Sequence, residues 1–237
     1  MALERIDYAD GDAALVGHVA RPAGTARGAI LILPTIANFN PPMETRARML
    51  ADAGFVGMVA DFYGEAVRDF DHARALAGPL RASAEGYRRR LRAGLDALAA
   101  QTPGLRLGAI GFCMGGQAAL ELARDGAPVE LVASFHGLLD TAAPADKPIG
   151  ARILVCHGDA DPMVPREQVL GFWQEMDTVG ANWHFHSYSG VKHGFTDPGS
   201  DARGMPAIGY DASANAVTYD LPELARASFI ATCAAQQ

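Results

Sequence analysis

No apolar run in the 237-residue sequence approaches the length of a membrane span, which takes about 20 consecutive apolar residues, so no membrane partner is expected. The opening, MALERID, has neither the basic start nor the apolar stretch of a secretory leader. Cysteine is scarce. Cys113, Cys156 and Cys233 are odd in number, far apart and free of CxxC spacing, which speaks against a disulfide framework and for free thiols in a reducing, cytoplasmic setting. Long basic runs are missing too. The densest cluster, Arg88-Arg89-Arg90, falls on a predicted helix, where a solvated face is its expected use. A formal net charge of −7 opposes a nucleic-acid partner. Internal repeats and low-complexity tracts are also absent.

What is present is ordinary for a globular protein: 49% apolar and 20% charged residues. The length fits one large α/β domain better than two small ones. Ile6 to Ala20 alternates weakly around Asp10-Gly11-Asp12, as a hairpin with an Asp-Gly turn would. Ala29–Leu33, Val56–Ala60, Leu107–Phe112, Leu131–Phe135 and Ile153–Cys156 read as buried strands, and Trp183–Tyr188 as the last strand. Between them, helices are expected at Glu44–Ala53, at Phe70–Ala100 with a break near Gly78-Pro79, at Arg166–Val179 and at Leu221–Ala234. Such alternation predicts a mostly parallel sheet with helices on both faces, a three-layer sandwich. Reactive groups in such a sheet collect beyond the carboxyl ends of the strands. The loops after Leu33, Phe112, Cys156 and Tyr188 are therefore expected to converge.

The stretch Leu107–Leu120, LGAIGFCMGGQAAL, runs from an apparent buried strand into Ala/Leu helical spacing. Cys113 sits at the junction, in the G-x-S-x-G nucleophile-elbow pattern with cysteine in place of serine. Flanking glycines allow strand and helix to crowd around a strained residue, and a helix N-terminus beneath the thiol favours its thiolate. The same pattern fits a buried structural cysteine or a phosphate-binding turn, so its context decides.

A thiol nucleophile needs a base, and the base an orienting acid. His193, in GVKHGF, lies in the loop after the last predicted strand; His157 is expected to begin the loop after Cys156. Asp161 opens the DPMVP turn after that strand, while Asp159 is placed to brace it. The chain order Cys113, Asp161, His193 is that of α/β-hydrolase nucleophile, acid and histidine. His184 and His186 share a strand face and would offer a metal two imidazoles, but spacing places no third ligand; an exposed strand face is the expected reading.

On GFCMGG, HGDADPMVP, GVKHGF and the DFYGE stretch from Asp61, the chain resembles the dienelactone hydrolase family of α/β-hydrolases, from about Ala29 onward. The resemblance implies one α/β-hydrolase domain over 1–237 and a Cys113–His193–Asp161 triad. It further implies an oxyanion hole from the backbone N–H groups of Ile36 and Met114, each donor worth about 3 kcal/mol in the transition state. In those enzymes the position of Thr35 is a glutamate that contacts the resting thiol. Here His193 would deprotonate Cys113 directly, or the two would rest as an ion pair. The family's substrate-carboxylate arginine, four residues after the histidine, is replaced by Asp197. Thr35, Arg81 and Phe195 are candidate substrate contacts, and Arg81 or Arg203 could supply the missing positive charge. Phe39, Phe62, Tyr63 and Tyr210 are further candidate pocket walls.

A thiolate leaves more readily than an alkoxide, so attack on an alkyl ester would tend to revert. Enol lactones, aryl esters or thioesters are the expected substrates, with no cofactor and no metal needed. Two other functions remain open: a broad carboxylesterase or thioesterase of the same fold, and a non-catalytic ligand binder or redox sensor acting through Cys113. A complete triad argues against the last. A monomer or homodimer is expected.

Overall fold

The computed structural model describes residues 2–218. Strands β1 (Glu4–Asp10) and β2 (Ala13–Ala20) form the expected antiparallel hairpin, with Gly11 at φ +59° in its turn. Then follow β3 (Ala29–Leu33), α1 (Pro41–Asp52), β4 (Val56–Val59), α2 (Phe70–Arg81), α3 (Ala84–Gln101), β5 (Leu107–Phe112) and α4 (Met114–Arg124). The chain continues through β6 (Leu131–Phe135), β7 (Arg152–Gly158), α5 (Arg166–Thr178), β8 (Trp183–Tyr188) and α6 (Ala212–Thr218). The eight-stranded sheet has the order β1-β2-β4-β3-β5-β6-β7-β8, parallel from β4 to β8. From β3 the chain steps to β4 on one side and then crosses to β5 on the other, so the carboxyl ends of β3 and β5 flank the switch point, where such sheets place ligands. No helix among the described residues is long and apolar enough to cross a membrane.

Strands β3 to β6 are buried along their whole length, which is why they read as unbroken apolar runs. On one face Leu31, Met58 and Ala109 pack with Leu91, Leu95, Leu122 and Phe172 from α3, α4 and α5. On the other, Ile30, Ile32 and Phe112 pack with Met43, Ala47 and Leu50 of α1 and with Ala214 of α6.

Several boundaries differ from the sequence expectation. Helix α1 begins at Pro41 instead of Glu44, because Asn40 caps it by accepting from Met43 N–H (3.1 Å) and proline is tolerated in a first turn, where its missing N–H has no partner to lose. Helix α2 runs through Gly78-Pro79; in the last turn proline removes only one helical bond. The break falls at Ser83, whose Oγ accepts from Gly86 N–H (3.2 Å) and starts α3. Strand β7 extends to Gly158, paired with Tyr188, so His157 belongs to the strand and is buried against Phe185. The expected helix Leu221–Ala234, with Cys233, lies outside the described residues.

Of the arginine cluster only Arg89 faces solvent as expected. Arg90 binds Asp10 and the Phe62 carbonyl, and Arg88 enters a buried ion network. There Glu121 holds Arg88 (2.8 Å) and Arg124 (2.9 Å), and Arg124 also holds Glu175 (2.8 Å). Arg88 and Arg124 further donate to the carbonyls of Ala143 and Leu139, pinning the long connection between β6 and β7 to α3, α4 and α5. Glu121→Ala leaves Arg124, whose side chain is 1% exposed, short of a partner. A stability loss of about 3 kcal/mol is expected, read by urea denaturation; a loss within experimental error contradicts this role.

Candidate active site

Cys113 joins β5 to α4 at φ 55° and ψ −119°, a conformation that costs a non-glycine residue free energy. The surrounding glycines make it possible. A Cβ on Gly111 would lie 1.8 Å from the Gly115 carbonyl oxygen, and one on Gly115 would lie 2.0 Å from that of Leu33. The turn is thereby pressed against the end of β3, and the loop after Leu33 meets the thiol. The backbone N–H groups of Met114 and Ile36, the pair expected to form an oxyanion hole, both act on the Cys113 sulfur and favour its thiolate.

Asp161 and His193 come from the loops after β7 and β8. His193 Nδ1 and Asp161 Oδ2 are 2.7 Å apart and both residues are buried. The other carboxylate oxygen accepts from Met163 N–H (2.9 Å), so the DPMVP turn orients the acid. Burial pushes the Cys113 thiol up, but the His193 charge and the two backbone donors outweigh it and hold the thiol below its usual range. For His193 burial acts downward, while the Cys113 thiolate and Asp161 raise it to about 10. The two effects favour a resting thiolate–imidazolium pair. Buried His193 Nε2 makes no hydrogen bond of ordinary geometry among the described residues, so its attraction to the sulfur is chiefly electrostatic. Such bonds are often long before substrate arrives.

The loop carrying Ile36 is held from below. Asp61 accepts from Val16 N–H, Asn38 Nδ2, Tyr63 N–H and Gly64 N–H at 2.8–3.1 Å. Asn38, at φ 60°, accepts from Phe62 N–H, and the Tyr63 hydroxyl donates to the Ile36 carbonyl (3.1 Å). The DFYGE stretch marked Asp61 and Tyr63, but Asn38 carried no sequence signal of its own.

The other candidates separate. Thr35 uses its hydroxyl on its own turn, accepting from Ala37 N–H (3.3 Å). Phe195, expected to touch substrate, is 0% exposed and packs beneath His136 and Tyr188; Phe62 is likewise in the core. Neither is exposed for a substrate to touch, although Phe62 backs a cleft beside Tyr63 and Leu80. Arg203 is paired with Asp197 and is no free positive charge. Arg81, at the end of α2, exerts its charge on Tyr63 and Tyr87, and its buried Nε has no partner among the described residues. Asp159, expected to brace the turn through its backbone, instead pairs with the exposed Arg166 side chain of α5 through both oxygens, and it is Asp161 that accepts from the turn. His184 and His186 are exposed, with Arg152 against His184 (3.0 Å), and no metal-ligating cluster occurs among the described residues. Sequence reasoning passed over His136, Thr196 and Arg46, which lie beneath Cys113; the one available signal was a histidine at the end of a buried strand, in SFHG.

A switch point between β3 and β5, an elbow after β5 and acidic and imidazole side chains after β7 and β8 define an α/β hydrolase. The chain belongs to the dienelactone hydrolase family, a family of hydrolases, whose model matches residues 15–221. It is 28% identical over 220 residues (85% of this chain, 87% of the relative) to a Bradyrhizobium protein named probable 2-oxo-3-(5-oxofuran-2-ylidene)propanoate lactonase. A crystal structure of a dienelactone hydrolase-like promiscuous phosphotriesterase from metagenomic libraries superposes with TM-score 0.84 at 33% identity, covering 94% of this chain and 98% of that one. The solved protein named m3DLH gives 0.87 at 34% identity, covering 95% and 96%.

Proposed function

We propose that the chain, acting as one hydrolase domain, cleaves an activated ester or lactone of the dienelactone (enol lactone) type through Cys113, His193 and Asp161. The observation that carries this reading is the buried His193–Asp161 pair, 2.7 Å apart, acting on a Cys113 thiol held at the strained turn between β5 and α4. The thiolate attacks the carbonyl carbon, forming the C–S bond, and the C=O electron pair moves to oxygen. That oxygen is received by the Ile36 and Met114 N–H groups. Collapse breaks the C–O bond, and the departing oxygen receives the Nε2 proton of His193. Water then gives a proton to Nε2 and attacks the thioester, expelling the thiolate and releasing the acid.

Selectivity follows from the nucleophile. A thiol with an ordinary pKa of about 8.5 makes a better leaving group than an alkyl alcohol, so only a stabilised leaving group departs ahead of Cys113. The lactonase name of the Bradyrhizobium relative supports a lactone substrate. Arg81, with an unpartnered buried Nε, supports a negatively charged group on it. An enol lactone is expected to exceed its saturated analogue in kcat/KM by at least about tenfold, or about 1.4 kcal/mol in the barrier. Equal rates contradict the thiolate route, and no turnover of either contradicts the hydrolase reading.

A further inference from the structure

Directly beneath the elbow lies a second imidazole that the reaction above does not use. His136 follows β6 at φ 41° and is 2% exposed. Its backbone N–H donates to the Cys156 carbonyl (2.8 Å), fixing it to the end of β7. Its Nδ1 accepts from the N–H of Cys113 itself (3.1 Å), an N–H that also reaches the Phe135 carbonyl (3.0 Å). Its Nε2 lies 2.9 Å from Thr196 Oγ1, three residues beyond His193 in the same loop. The ring meets His193 edge-on at 5.1 Å and Phe195 at 5.3 Å. Arg46, reaching from α1, donates to the Thr196 carbonyl (2.6 Å) and lies over Phe112.

These contacts fix the tautomer. An N–H can only donate, so Nδ1 is unprotonated, and the proton sits on Nε2, where Thr196 accepts it. We infer that His136 is a positioning residue for the reaction, clamping the nucleophile turn to the histidine loop as a neutral imidazole between Cys113 N–H and Thr196 Oγ1. The inference rests on the assignment of Cys113 and His193 above. The strained Cys113 backbone and the His193 loop belong to different strands, and His136 is a polar group bonded to both. A second proton on the ring would set donor against donor at Cys113 and a charge beside His193. Burial, His193, Arg46 and Arg203 all disfavour that proton and hold His136 well below the usual histidine range. Asp161, Tyr63, Tyr87 and His157 are further titratable groups acting on the Cys113–His193 pair.

The test follows alkylation of Cys113 by iodoacetamide against pH, by peptide mass spectrometry, beside kcat and KM for an aryl ester. His136→Phe removes both bonds, His136→Asn keeps an acceptor for the Cys113 N–H, and Thr196→Val removes only the far partner. The inference predicts a thiol inflection raised by about one unit in His136→Phe and Thr196→Val, less in His136→Asn. It also predicts kcat lowered by about tenfold or more with KM little changed. A wild-type inflection in Thr196→Val overturns the inference, even should the His136 variants fail to fold. So does a lowered melting temperature with an unmoved inflection, the mark of a merely structural role. If wild-type Cys113 itself titrates as an ordinary thiol, the thiolate reading falls, and the clamp with it.

Discussion

Replacing Cys113 with alanine is expected to lower kcat for an activated ester by about 10⁶-fold, the scale seen when a nucleophile acting as part of a unit is removed. One feature sets the size of this effect: the Cys113 sulfur is the nucleophile that His193 and the Met114 and Ile36 backbone groups bias toward its thiolate. The fold should survive, because alanine accepts the same backbone geometry as cysteine and Cys113 contributes its N–H, not its thiol, to the bonds with Phe135 and His136. Steady-state kinetics with a matched circular dichroism spectrum reads the result; turnover within tenfold of wild type would remove Cys113 from the mechanism.

Asp161→Asn is expected to cost about 10⁴-fold in kcat with little change in KM, because it reverses one hydrogen bond in an otherwise intact site. The Met163 N–H needs an acceptor, so the asparagine oxygen stays where Oδ1 now sits. The amide NH₂ then faces His193 Nδ1, where Oδ2 lies at 2.7 Å. A neutral imidazole facing a donor must carry its proton on Nε2, the nitrogen that has to accept one from water. The imidazolium also loses the carboxylate that helps raise it to about 10. The acid limb of activity should therefore move to higher pH, since less imidazolium is present to hold Cys113 as thiolate. An unchanged pH profile and kcat would show that Asp161 only supports the loop.

The elements that sequence revealed most clearly were those whose chemistry is local. The buried strands read as apolar runs because both faces are covered, and the elbow glycines read as such because a Cβ there meets backbone. The pairing of Asp161 with His193 was legible from order along the chain, each just past a strand. Long-range pairing was harder to see. The end of β7 depends on Tyr188 as its partner, so His157 looked like a loop residue. The helix break at Ser83 was masked by the louder signal of Gly78-Pro79. Phe195 resembled a pocket wall because an aromatic in a loop carries no mark of burial, and it lies under His136. The His136–Thr196 bond spans 60 residues, which no local pattern encodes.

The central claim is covalent catalysis at Cys113, and rapid acid quenching during turnover of p-nitrophenyl acetate tests it most directly. The account predicts a stoichiometric burst of nitrophenol and an acetyl group on the peptide carrying Cys113. Steady turnover with no burst, no adduct and no loss of rate in Cys113→Ala would contradict it.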